Sequence, residues 1–134
     1  MPEQPKNERG AVSTFLAVIA LALLMAAGLA IDGGRKVNAL REASQLADNA
    51  ARTGAQAVDL DTLRTTGDLT LLPADAADRV DQYLTSLGHT ATEITVIGDT
   101  ITVTVELTVD PVLLPTGPIT VTASETATAI TQEP

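Results

Sequence analysis

GAVSTFLAVIALALLMAAGLAI, residues 10–31, carries no charged side chain, and its reading decides how the rest of the chain is understood. It follows Arg9 directly and stops at Asp32. As a helix rising about 1.5 Å per residue, it covers the roughly 30 Å hydrocarbon core of a bilayer. Two rivals fit less well. A buried helix of a soluble core seldom runs so long without charge in a small domain. A cleaved secretory signal has a passable small-x-small site at Gly28-Leu29-Ala30, but the run exceeds the usual ~7–15-residue signal core. The flanking charges do not orient the span. Lys6 and Arg9 precede it, Arg35, Lys36 and Arg41 follow it, and the positive-inside rule alone leans slightly towards a cytoplasmic C-terminal side.

Working outward, residues 1–9 (MPEQPKNER) are polar with two prolines and read as a disordered tail. On the other side, Asp32-Gly33-Gly34 marks a change of character. Two glycines cost a helix about 1 kcal/mol each, which makes this the point for a kink or fray. Residues 35–58 are helical again in pattern. Val37, Leu40, Ser44, Ala47, Ala51, Gly54 and Val58 recur at spacings of three and four, and Ala47, Ala51 and Ala55 at four. Most members are small, so a second helix or a sheet can approach closely. The seam has two readings: an amphipathic helix lying on its own domain, or an intermolecular contact. Without a break at the glycines, span and seam form one rod from about Ala11 to Val58, on the order of 70 Å.

Residues 59–72 show no sustained period and read as a loop. Residues 74–87 form a short amphipathic helix, with Pro73 in its first turn, Ala76, Ala77, Val80, Leu84 and Leu87 on one face, and Gly88 as C-cap. The remainder is β. EITVI (93–97) is a strand, and Gly98-Asp99 is a two-residue hairpin turn. Residues 100–109 alternate strictly, with Ile101, Val103, Val105, Leu107 and Val109 on one face and Thr100, Thr102, Thr104, Glu106 and Thr108 on the other. Residues 110–118 (DPVLLPTGP) make a proline-bounded loop with an apolar tip, Val112-Leu113-Leu114. Residues 119–130 alternate again, with Ile119, Val121, Ala123, Ala127 and Ala129 opposite Thr120, Thr122, Ser124, Thr126 and Thr128. The expected architecture is α+β. It comprises a transmembrane helix extended into a long amphipathic helix, a short second helix, and a three-stranded antiparallel meander whose apolar face those helices cover.

The formal net charge is −9, and it is uneven. From Asp59 onward only Arg64 and Arg79 are basic, against a dozen carboxylates. Phe15 and Tyr83 are the only aromatic residues. Such a surface offers nucleic acid neither phosphate-neutralising charge nor stacking platforms, which excludes that partner class. With no cysteine and one histidine, His89, a zinc-type ligand set cannot be assembled, so no metal site is expected. No serine sits in a nucleophile elbow, the acidic residues lack calcium-loop spacing, and Gly33-Gly34 belongs to no phosphate loop. No catalytic residue, cofactor or small-molecule substrate is expected. The threonine face reads as a solvated sheet surface, or a glycosylated one on composition alone. Asp32 is the polar residue of interest. At the end of a span it either sits in interfacial water or pairs with a basic group of a neighbouring span.

Residues 8–59, ERGAVSTFLAVIALALLMAAGLAIDGGRKVNALREASQLADNAARTGAQAVD, resemble the N-terminal module of TadE/TadG-like proteins of the tight-adherence (Flp-type) pilus systems, in the short form seen in actinobacteria. Arg9-Gly10, the small-and-aliphatic span, Asp32-Gly33-Gly34-Arg35 and the Ala-rich helix 43–57 carry the resemblance. It implies a non-enzymatic, minor-pilin-like or pseudopilin-like component of a type IV pilus-related secretion system. That component has a single span in the cytoplasmic membrane, a cytoplasmic N-terminus, and an acidic extracytoplasmic α+β domain over residues 59–134. The implied partners are membrane lipid, the assembly platform proteins and other pilin-like subunits. Asp32, Ala47, Ala51, Gly54 and Ala55 are the candidate assembly contacts. Gly10 stands where a pilin-type processing site would lie. The Glu that normally occupies the fifth position after the cut is absent, and Phe15 is there instead. The alternative function is a secreted or membrane-anchored extracytoplasmic binding module, using the Val112-Leu113-Leu114 tip as its contact.

Overall fold

A computed structural model of the chain describes residues 8–113 and 115–130. Leu114 of the expected apolar tip and residues 1–7 of the expected tail lie outside the described residues. Glu8 and Arg9, expected in that tail, instead belong to the first helix, α1 (Glu8–Gly54). At 47 residues α1 is about 70 Å long. It passes through Gly33 and Gly34 without a break, so of the two outcomes open at the glycines the continuous rod is the one adopted. Once a long helix is nucleated, each further residue adds a hydrogen bond, and the modest cost of two glycines is absorbed. The helix ends at Gly54 rather than Val58.

From there the chain turns into a short antiparallel bridge, Val58 with Leu71. The amide of Asp59 donates to Thr70 (2.8 Å) and that of Leu72 to Ala57 (2.8 Å). The segment between is not the expected loop but a helix, α2 (Leu60–Thr66). Asp59 caps it, accepting the amides of Asp61 (3.1 Å) and Thr62 (3.0 Å), and Gly67 ends it at φ 79°. None of its residues is buried, so it has no apolar period to betray it. α3 (Pro73–Ser86) matches the expected second amphipathic helix within a residue at each end. It buries Ala76, Val80 and Leu84. Leu87, expected on that face, is exposed.

Strands β1 (Ala91–Ile97), β2 (Thr100–Val109) and β3 (Ile119–Thr128) form the expected antiparallel sheet in the order β1-β2-β3. Ile97 pairs with Thr100 across the two-residue turn, and Gly98 takes the positive φ, 62°, that a primed hairpin turn needs first. Every β2 residue pairs with β3, from Thr100 with Thr128 to Val109 with Ile119. β3 stops at Thr128, short of the expected Ile130, which is exposed.

The apolar sheet face packs on α1 and α3. Ile101, Val103 and Val105 are fully buried with Val80 and Leu84 of α3, and Ala47, Ala50 and Ala51 of α1 are buried in the same cluster. Alanine keeps the α1 surface thin, so helix and sheet approach closely. Gly54 is the tightest point: a Cβ there would stand 2.5 Å from Ile101 Cδ1 and 2.9 Å from Val80 Cγ2. The alternation that puts Val121, Ala123 and Ala127 inward also turns Glu125 inward. Its carboxylate accepts a short hydrogen bond from the Ser44 hydroxyl of α1, tying β3 to the helix.

Candidate functional site

The two halves of α1 have opposite environments. From residue 10 to residue 31 every position is exposed except Gly28. From Ala39 onward the Ala-rich face is covered by the sheet and α3. Where the two halves meet lies Asp32, 5% exposed and the only buried charged residue among those described. Interfacial water is therefore not its environment. Its Oδ1 accepts the amide of Val112 (2.9 Å) and its Oδ2 the amide of Leu113 (3.1 Å). Both donors lie on the loop between β2 and β3, some 80 positions along the chain. Charge-assisted bonds to backbone amides are stronger than neutral ones.

One turn earlier, Gly28 makes room for the same loop. A Cβ at Gly28 would stand 3.2 Å from Cβ of Leu113, tighter than ordinary van der Waals contact. Gly28 and Asp32 thus form a seat on one face of α1, one supplying space and the other acceptors. Of the two side chains carried by the seated backbone, that of Leu113 lies against Gly28 and is still 55% exposed, and that of Val112 is 62% exposed. Arg35 and Lys36 are exposed one turn beyond.

The other residues singled out in the sequence fall elsewhere. Ala47, Ala51, Gly54 and Ala55 lie in the core, facing the chain's own sheet and α3, so of the two readings of the seam the fold adopts the intramolecular one. Gly10 is exposed, within the first turn of α1. His89 is half-buried just past α3, its amide donating to Leu84 (2.9 Å). Among the described residues no group of three or more His, Asp or Glu is placed to hold a metal ion. The outer sheet face carries hydroxyl pairs across the strands: Thr100 with Thr128 (3.3 Å), Thr102 with Thr126 (2.9 Å) and Thr104 with Ser124 (3.1 Å). An open groove lies between the end of α1 and β3, bordered by Asp48, Arg52, Ala55, Thr126 and Ile130. Arg52 is occupied there by Asp48 (3.0 Å).

The seating role of Gly28, the Val112 and Leu113 amides and Glu125 escaped the sequence reading, which noted Gly28 only within a small-x-small cleavage pattern. Glu125 alone had a signal, its place in the strand alternation. Gly28 looks like any small residue of an apolar helix, and a backbone donor has no letter in the sequence.

α1 is long and apolar enough to cross a membrane. No curated protein and no solved structure matches the chain. The bare apolar helix, the Asp32 seat and the small-residue face together make up residues 10–57, and this stretch matches the family model described as putative Flp pilus-assembly TadE/G-like.

Proposed function

We propose that the chain is a non-enzymatic, membrane-anchored component of a tight-adherence pilus assembly system, minor-pilin-like or pseudopilin-like in architecture. Residues 10–31 cross the cytoplasmic membrane with the N-terminus inside, and the acidic domain faces out. The observation that carries the reading is the family match lying on a helix whose first half is bare and apolar and whose second half is packed. An apolar surface of that extent is not stable in water and must be covered by lipid or by other spans. The small-residue face of α1 is taken up by the chain's own sheet, which leaves the apolar half as the surface for other pilin-like subunits and the platform proteins. Processing after Gly10 is no part of the proposal, because Phe15 stands where the accompanying Glu would be.

The test is an in-frame deletion in the producing cell, complemented with the full chain, with surface filaments counted by electron microscopy after shearing. Loss of filaments on deletion and recovery on complementation is the expected result. Undiminished filaments in the deletion strain would refute the pilus role. A soluble form starting near Ile31 in the medium would favour the secreted binding module instead. Topology is read from Thr102→Cys, the only thiol in an otherwise cysteine-free chain. A membrane-impermeant maleimide labels it in intact cells if the domain is outside.

A further inference from the structure

We propose that the β2–β3 loop is a second membrane contact: Val112 and Leu113 sit in the outer interfacial layer of the bilayer beside α1, held there by Asp32. This rests on residues 10–31 being a span.

The level of the loop follows from helix geometry. Counting from Gly10, Gly28 lies about 27 Å and Asp32 about 33 Å along α1, against a hydrocarbon core of about 30 Å. Leu113 packs at Gly28 and is bonded to Asp32, so it brackets the outer edge of that core. Arg35 and Lys36 lie roughly 8 Å beyond the edge, the depth of the lipid phosphates, where exposed cations find partners.

The backbone chemistry of the loop suits that depth. An unsatisfied amide costs more at the bilayer edge than in water. Pro111 and Pro115 have no amide hydrogen to satisfy, and those of Val112 and Leu113 are both taken by the Asp32 carboxylate. The carboxylate is turned inward by the same bonds and presents little charge to lipid. Both apolar side chains remain more than half exposed, Leu113 along the α1 surface at Gly28 and Val112 beside it. A buried aspartate that holds an exposed apolar tip against α1, level with the end of a span, places the tip where lipid lies. The consequence is a two-point attachment: the span sets depth, and the loop fixes which face of the domain meets the membrane.

The chain contains no tryptophan, so a single introduced Trp reports its own surroundings. Leu113→Trp, Val112→Trp, Phe15→Trp and Thr102→Trp are each made in the full chain and reconstituted at one chain per nanodisc. The discs contain phosphatidylcholine brominated either near the headgroup end or deep in the acyl chain. Trp at 113 or 112 should be quenched several-fold more by the shallow bromines than by the deep ones. Trp at 15 should show quenching by the deep bromines, and Trp at 102 neither. If Trp at 15 is quenched while Trp at 113 and 112 are not, the loop contact is overturned and the span stands. Protection of those two from acrylamide without lipid quenching would put protein on the loop, and overturns the contact equally. If Trp at 15 is not quenched, the span reading fails and the proposal fails with it.

Discussion

Gly54→Ala tests the packing of α1 on the sheet directly. The added methyl would lie 2.5 Å from Ile101 Cδ1, 2.9 Å from Val80 Cγ2 and 3.3 Å from the Ala76 carbonyl oxygen. Comfortable carbon–carbon contacts are about 3.5–4.0 Å, so the first two are short by roughly 1 Å and 0.6 Å. Ile101 could swing its terminal carbon aside only into a core in which it is already fully buried. Val80 is β-branched and has one preferred rotamer on a helix, so relieving that contact means moving α3. Overpacking of this kind costs about 1–3 kcal/mol. Against it stands the helix propensity gained on replacing Gly by Ala, at most about 1 kcal/mol and less at the final residue of a helix. The net expectation is a loss of about 1–2 kcal/mol, a fall in Tm of roughly 4–16 °C for a domain of this size. Thermal unfolding followed by circular dichroism, on the full chain in detergent micelles, measures it. Gly33→Ala and Gly34→Ala are the controls. Both lie in the same helix, and nothing comes within 4 Å of an added Cβ at either, so each should melt at or above the parent temperature. A Gly54→Ala protein as stable as these controls would refute the claim that helix and sheet are in contact there.

Two further outcomes follow from the polar contacts. Asp32→Ala leaves the Val112 and Leu113 amides without their acceptor, and losing a buried partner costs about 1–3 kcal/mol. Hydrogen exchange at those two amides should accelerate about 10- to 100-fold while amides of the β2–β3 ladder keep their rates, and unchanged exchange at 112 and 113 would count against the seat. Asp59 has its pKa lowered, first by the hydrogen bond from the Thr62 hydroxyl (2.7 Å) and then by the Thr62 amide. A depressed carboxyl stabilises the fold above its unfolded pKa of about 3.9, and the contribution is lost as pH falls through the folded value. Asp59→Asn keeps an acceptor at the cap without titrating. In acid titrations below about pH 4 the parent should therefore lose stability relative to this variant, and parallel curves would show that the cap charge is not involved.

Much of this fold is legible from local pattern. Strict alternation identified β2 to the residue and the start of β3, because a strand buried on one face must repeat every second residue. The apolar face and Pro73 identified α3 in the same way, and residues 10–31 declared the long apolar helix. Helix α2 was missed because it buries nothing, although its two caps, Asp59 and Gly67, were there to be read. The small-residue seam was visible too, but its partner was not. That Ala47, Ala51 and Gly54 face the chain's own sheet depends on how the elements stack, not on the spacing along one of them. The same limit applies to Asp32. A carboxylate at the end of an apolar helix announces a need for donors. Its donors turned out to be two main-chain amides some 80 residues away, brought within reach because β2 and β3 lie along α1 and Gly28 leaves room for their loop. Side-chain periodicity selects the face each element buries. Every residue except proline carries the same backbone donor, so which amide meets a given carboxylate is decided only when the chain has folded.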